Sequence, residues 1–224
     1  MSVFDTFVKK HDYLVCVDSD GCAMDTSIAG VDTLCQWVEA TKALSNDALA
    51  AAIEAAPVGD GRTCLEKALS WSKAVNASIA ALPEELKAPY PGAKDGLAAA
   101  HTFADVAVVS SANRDAVDEE WTNHKLLDHV DIVLAQDCGS KAYCIAEMLK
   151  FGYTPDHVLM VGDAPGDCDA AEKNRVYYFP ILVNKEEDSW TELKETALAK
   201  LQDMTYDGQY QDSKKEEFLA NLVG

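Results

Sequence analysis

Asp18 and Asp20 stand one residue apart directly behind the apolar run Tyr13-Leu14-Val15-Cys16-Val17, and Gly21 follows them. Residues two apart on an extended chain point the same way, so both carboxylates serve one spot. Gly21 lets the backbone turn there without steric cost. Two carboxylates held so close repel unless a shared proton or a cation relieves them. The relief this pattern calls for is a hard divalent ion with oxygen ligands, Mg2+. A calcium loop beginning at Asp18 fails at three places. It needs an oxygen ligand at Cys22, Gly at Ala23 and Glu at Ala29, and the preceding run reads as strand rather than helix. The other reading is an ordinary polar turn after a buried strand, and on this motif alone the two stand level.

Three more apolar runs end in polar residues suited to the same chemistry. Val106-Ala107-Val108-Val109 ends at Ser110-Ser111-Ala112-Asn113. Val130 to Leu134 leads to Gln136-Asp137-Cys138-Gly139-Ser140-Lys141. Val158-Leu159-Met160-Val161 ends at Gly162-Asp163-Ala164-Pro165-Gly166-Asp167. Four motifs in this order carry far more weight than any one of them. The order DxDG, a strand ending in Ser, a Lys, then GDxxxD resembles the haloacid dehalogenase superfamily of phosphohydrolases. The likeness spans residues 13 to about 180, with one long insertion after the first motif.

The resemblance implies a role for each residue. Asp18 would be the nucleophile, forming an aspartyl-phosphate that water then cleaves. Asp20 would be the general acid for the leaving oxygen and then the base that activates water. Dehalogenases of the superfamily lack this second Asp, so its presence favours phosphoryl transfer. Ser110 would bind a phosphate oxygen, helped by the backbone amides of Ser111 and Ala112 ahead of a helix. Taken alone, Ser110 reads as an ordinary ST-turn or helix cap, and only the other motifs favour a phosphate role. Lys141 would neutralise phosphate and nucleophile in the transition state. Many relatives carry Pro after this Lys, whereas this chain has Ala142. Asp163 would complete a Mg2+ site with Asp18 and the backbone carbonyl of Asp20. Asp167, four residues on, would hold a metal-bound water or orient Lys141.

These residues need a scaffold. Five runs read as strands, namely 13–17, 106–109, 130–134, 158–161 and 176–179. Helical stretches lie between the later ones, at 114–127, 140–151 and 167–174. Strands alternating with helices argue an α/β protein with a Rossmann-like parallel sheet. Ligands of such sheets bind beyond the carboxyl ends of the strands, where all four motifs sit. Residues 25–95 break the alternation and read as an all-helical insertion. Ile28, Val31, Cys35 and Val38 recur at helical spacing. Ser45-Asn46-Asp47 opens a second helix that ends near Pro57. Thr63 to Glu66 reads as a capping box for a third, and Pro83-Glu84-Glu85 starts a fourth. The resemblance makes this insertion a cap domain, placed as in the phosphoglucomutase-like branch of the superfamily. The expected division is a core of residues 1–24 and 96–224, including a helical tail 185–224, and a cap of residues 25–95. In that tail, Ser189 to Asp203 reads as a helix capped by Ser189, 206–210 as a polar loop and 214–222 as a last helix. The loop Val58-Gly59-Asp60-Gly61-Arg62 joins two cap helices, and in similar proteins such a loop enters the active site. Arg62 there could grip an anionic part of the substrate or be a solvated side chain; Arg114 is a weaker candidate.

A net charge of −19, from 38 acidic and 19 basic residues, disfavours nucleic acid as a partner. It does not exclude an anionic substrate, because a bound metal dominates the local field. Seven Cys without a CxxC pair argue against a disulfide framework and a thiolate zinc site. Cys22, beside the first motif, reads as a small packed residue. The five His show no ligand-like spacing, Asn76-Ala77-Ser78 matters as a sequon only on export, and Gly59-Asp60-Gly61 extends to no dinucleotide fingerprint. No run is long enough to span a membrane and no export signal opens the chain, so a cytoplasmic protein with no membrane partner is expected. The expected activity is a Mg2+-dependent phosphatase acting on a small phosphorylated metabolite. A phosphomutase with the same core residues is the runner-up, and a non-catalytic phosphometabolite-binding protein is the third reading. Oligomeric state and substrate identity are not legible.

Overall fold

Leu14, Val15, Cys16 and Val17 are all buried, as expected for a strand covered on both faces. The computed structural model describes residues 3–19, 46–55, 60–83 and 87–222. In chain order the elements are β1 Tyr13–Val17, α1 Asn46–Ala55, α2 Asp60–Ala80, α3 Ala93–Ala100, β2 Ala104–Val109, α4 Arg114–Asn123, β3 Ile132–Leu134 and α5 Lys141–Leu149. There follow β4 Val158–Gly162, α6 Pro165–Asn174, β5 Tyr177–Pro180, α7 Glu186–Glu192, α8 Leu198–Gln202 and α9 Gln209–Leu222. A π-helical turn, Leu193–Ala197, joins α7 to α8.

The five strands form one parallel sheet in the order β3-β2-β1-β4-β5. The chain winds outward from β1 to β3, then crosses back to lay β4 on the other side of β1. The reversal falls between β1 and β4, and the carboxyl ends of strands at such a switch point are where sheets of this kind take their ligands. In register, Val17 of β1 pairs with Val108 of β2 and Val161 of β4, so the three strands end together.

Strand alternation sorts the core into two layers. Val15, Val17, Val106, Val108, Leu159 and Val161 point to one face, where Leu97, Trp121 and Trp190 pack against them. Leu14, Cys16, Ala107, Val109, Val158 and Met160 point to the other, against Ile145, Met148, Ala170 and Phe218. At the amino ends of the strands a buried polar clasp fixes the N-terminal segment. The Asp105 carboxylate, fully buried, accepts the backbone N–H groups of Lys10 and His11 and the Tyr153 hydroxyl.

Two compact units emerge, Met1–Thr26 with Ala88–Gly224, and Ser27–Lys87. In the second, α1 and α2 pack together, with Leu49 and Ile53 buried and the Ser72 hydroxyl donating to Asn46 Oδ1 at 2.6 Å. Among the described residues no helix is long and apolar enough to cross a membrane.

The α/β class and the parallel sheet are as the sequence led us to expect. Several boundaries differ. β2 begins at Ala104, two residues early, because Ala104 and Asp105 continue the pairing with β1. β3 is confined to Ile132–Leu134, since Leu127–His129 forms a 3-10 turn just before it. β5 begins at Tyr177 because Arg175 and Val176 are used to close α6. α4 stops at Asn123 rather than residue 127, and Lys125 adopts a left-handed turn. α5 stops at Leu149, and α6 starts two residues before Asp167, at Pro165, whose missing N–H costs nothing in the first turn. α2 starts at Asp60, so Thr63 to Glu66 lie inside a helix instead of capping one, and Asp60 to Arg62 form its first turn rather than a loop. α3, Ala93–Ala100, is a helix beyond those expected from the sequence.

The tail is more integrated than expected. Ser189 is inside α7, not at its cap; its hydroxyl bonds to the Lys185 carbonyl and accepts the Leu182 N–H. Tyr206 is fully buried rather than part of a polar loop, and α9 begins already at Gln209. The expected helices around Ile28 and Glu84 and the N-cap at Ser45 fall outside the described residues.

Candidate active site

The ends of β1, β2 and β4, and the helix that follows β3, deliver the parts of the site. Asp18 follows β1, and its N–H continues the ladder by bonding the Val161 carbonyl of β4 at 3.0 Å. Asp18 is 4% exposed. Its Oδ1 accepts the N–H of Ser19 at 2.8 Å, and its Oδ2 lies 2.6 Å from Lys141 Nζ. Lys141 is the first residue of α5. Ser140 caps that helix by accepting the Tyr143 N–H, and Gly139 enters it with φ 117°, a conformation that favours glycine.

The Lys141 ammonium also reaches Asp167 Oδ1 at 2.6 Å. Asp167, fully buried, is the third residue of α6 and turns back so that its Oδ2 accepts the Ala164 N–H at 3.0 Å. Gly162 makes this possible. A Cβ there would lie 2.4 Å from the Asp167 carboxyl carbon, so only glycine leaves room for the fold-back. Asp163 sits between Gly162 and this turn. Oxygens of Asp18, Asp163 and Asp167 lie within 4.8 Å of one another, a spacing and donor set that fit a hard divalent ion.

Two carboxylates share one ammonium and a third lies close by, so the cluster is short of positive charge. Burial, then the neighbouring Asp167 carboxylate, pushes the Asp18 carboxyl well above the usual range; Lys141 opposes this and Asp163 adds to it. Burial alone would depress the Lys141 ammonium, but Asp18 and Asp167 outweigh it and hold the charge on more firmly than in an ordinary lysine. A further cation would restore the balance, which is what a Mg2+ site here would supply.

Ser110 directly follows β2, 2% exposed, and its N–H bonds the Leu134 carbonyl of β3. Its Oγ accepts the Ala112 N–H at 3.0 Å. The Ala112 amide is therefore used inside an ST-turn and is not offered to phosphate as expected. Ser111 is exposed. Asn113 caps α4 through the Asp115 N–H. The Arg114 guanidinium is engaged within the fold: it bonds Asp137 Oδ2 at 2.8 Å, the Val133 carbonyl and Cys138 Sγ, tying the Ser110 and Lys141 loops together. Arg62 lies in the second unit, paired along its own helix with Glu66 at 3.0 Å. Asp20 and Cys22 fall outside the described residues.

Two partners were invisible in the sequence. Ser19, between the two carboxylates of the first motif, is fully buried, and the Trp121 indole N–H donates to its Oγ at 2.9 Å. The residues are 102 apart in the chain, and no local pattern links them.

Comparison with known proteins bears on the fold and the family. No curated protein matches the chain in sequence. Among solved structures, a protein from Thermotoga maritima provisionally named a beta-phosphoglucomutase superposes with a TM-score of 0.56 at 18% identity, covering 82% of this chain and 99% of its own. One from Lactobacillus plantarum, provisionally named a phosphoglycolate phosphatase, gives 0.53 at 12% identity, over 80% and 91%. CbbY from Rhodobacter sphaeroides, solved in complex with phosphate, gives 0.50 at 15% identity, over 75% and 86%. At these identities the likeness is one of fold. The sequence profile of the haloacid dehalogenase-like hydrolases matches residues 15–180, most of the chain, and the motifs at the strand ends lie inside that span. The chain belongs to the haloacid dehalogenase-like hydrolases.

Proposed function

We propose that this chain is a Mg2+-dependent phosphatase that hydrolyses a small phosphorylated metabolite through an aspartyl-phosphate on Asp18. The observation that carries the reading is one partly buried lysine shared by two buried carboxylates, with a third carboxylate in reach. Asp18 and Asp163 would hold the metal directly. Asp167, whose two oxygens are engaged by Lys141 and Ala164, would act through an ordered water. Bound there, Mg2+ offsets the charge of the carboxylates and of the phosphate they must approach.

The residues then divide the work. An Asp18 oxygen attacks phosphorus as the bond to the leaving oxygen breaks, and Asp20 gives that oxygen its proton. Asp20 next takes a proton from water, which attacks the acyl-phosphate, frees inorganic phosphate and restores the Asp18 carboxylate. Lys141, held by Asp167, neutralises charge on the phosphoryl oxygens. Ser110 Oγ accepts from Ala112, which leaves its own O–H to donate to a phosphate oxygen. Ser111 would add its backbone N–H, and Arg62 would contact the leaving group.

A panel of phosphorylated metabolites, assayed for inorganic phosphate with Mg2+ and with excess chelator, tests the reading. Release that needs Mg2+ and vanishes in Asp18→Asn supports it. Release in chelator overturns the metal assignment. Isomerisation without net release identifies a phosphomutase, and binding without turnover identifies a sensor.

A further inference from the structure

We infer that Trp121 is a positioning residue for Asp18, acting through Ser19; the inference rests on the reading of Asp18 as nucleophile. The chain of contacts is short. The Trp121 indole N–H donates to Ser19 Oγ at 2.9 Å, and the Ser19 backbone N–H donates to Asp18 Oδ1 at 2.8 Å. Lys141 holds the other oxygen, Oδ2. The Asp18 carboxylate is thus fixed from two sides, by an ammonium on one and by the peptide that follows it on the other.

Ser19 and Trp121 are both fully buried. A buried hydroxyl without a partner is costly, so a serine at this position is tolerated because the indole satisfies it. The bond also fixes the direction in which the chain leaves β1. Rotation of the Ser19 peptide would carry its N–H away from Asp18 Oδ1 and free the carboxylate to swing. Trp121 is anchored for this task. It lies on α4, whose first turn follows directly from the Ser110 turn, and it packs in the core layer that holds Val17 and Val108. One helix therefore sets the Ser110 loop at its start and the Asp18 loop two turns later. A misplacement of a nucleophile by a fraction of an ångström is felt in the chemical step more than in substrate binding.

Trp121→Phe removes the donor and keeps an aromatic ring in the core; Ser19→Ala removes the acceptor. Each should lower kcat for p-nitrophenyl phosphate by about ten- to a hundredfold with KM nearly unchanged. The double variant should be no worse than either single one, because both break the same bond. Wild-type kcat in either folded variant, or losses that multiply in the double, would overturn the inference. A second measurement does not depend on turnover. In 15N-labelled protein the four tryptophans give four indole N–H signals, and Trp121 is the one missing from Trp121→Phe. Asp18→Asn should move the Trp121 signal and leave that of Trp190 in place. A Trp121 signal indifferent to Asp18 overturns the coupling. Absence of phosphatase activity in the unsubstituted protein would instead overturn the proposed function, and the indole signal would still decide this one.

Discussion

Lys141 faces two buried carboxylates at 2.6 Å each, and a third lies close by, so removing one charge from this cluster has opposite effects depending on its sign. Lys141→Met leaves carboxylates buried without their counter-ion. It should lower kcat by about a hundredfold or more and lower Tm in chelator, with Mg2+ recovering part of the stability. Asp18→Asn removes a negative charge that burial and Asp167 disfavour. Its phosphatase activity should fall to background, while its Tm in chelator holds or rises; a lower Tm would show that the Asp18–Lys141 pair is a net stabiliser. Arg62 carries a different expectation. Its pair with Glu66 is a half-exposed i,i+4 contact worth under about 0.5 kcal/mol, so Arg62→Ala should leave Tm unchanged. If Arg62 meets the leaving group, the loss should fall on the natural substrate and spare p-nitrophenyl phosphate. Equal effects on both, or none, would remove it from the specificity site.

At the scale of elements, Gly162 shows how a strand end and a helix start are fitted together. Its missing side chain lets Asp167 fold back to cap Ala164 and hold Lys141. Gly162→Ala places a methyl where the Asp167 carboxyl sits, so the first turn of α6 must shift. Activity should drop at least tenfold and the Mg2+ concentration for half-maximal rate should rise, with a stability loss of about 1–3 kcal/mol. Unchanged metal dependence would mean that Asp167 has no part in the metal site. The meeting of Asp18, Lys141, Asp163 and Asp167 was legible because each follows an apolar run, and parallel strands put such residues at one edge. Helix starts were less legible. Thr63 to Glu66 has the composition of a cap, yet α2 begins three residues earlier, since propensity at a terminus is weak beside packing of the whole helix. The same limit hid contacts that only tertiary structure makes. Trp121 meets Ser19, and Ala112 gives its amide to Ser110, neither of which any spacing announces.

For the whole molecule, the C-terminal tail covers one edge of the sheet. Gln211 bonds the N–H and carbonyl of Tyr178 with its amide, and the Tyr206 hydroxyl adds to the same carbonyl, so the tail closes the β5 edge. At the amino ends of the strands, Asp131 does comparable work. Its side chain is 3% exposed, with Oδ1 2.6 Å from Lys10 Nζ and Oδ2 accepting the Val106 N–H, while His101 Nε2 lies 3.2 Å away. Burial alone would raise the Asp131 carboxyl, but the Lys10 bond, the Val106 N–H and His101 outweigh it and hold the group below its ordinary value. The sign then follows. A carboxyl lowered on folding contributes stability above its unfolded pKa of about 4, and that contribution fades as pH falls further towards the folded value. Asp131→Asn should therefore cost about 2 kcal/mol in urea unfolding at pH 7. The gap between variant and wild type should narrow below about pH 4, as the wild-type carboxylate takes up its proton. A gap of constant size across that range would show that the Asp131 contribution lies in shape and hydrogen bonding rather than in charge.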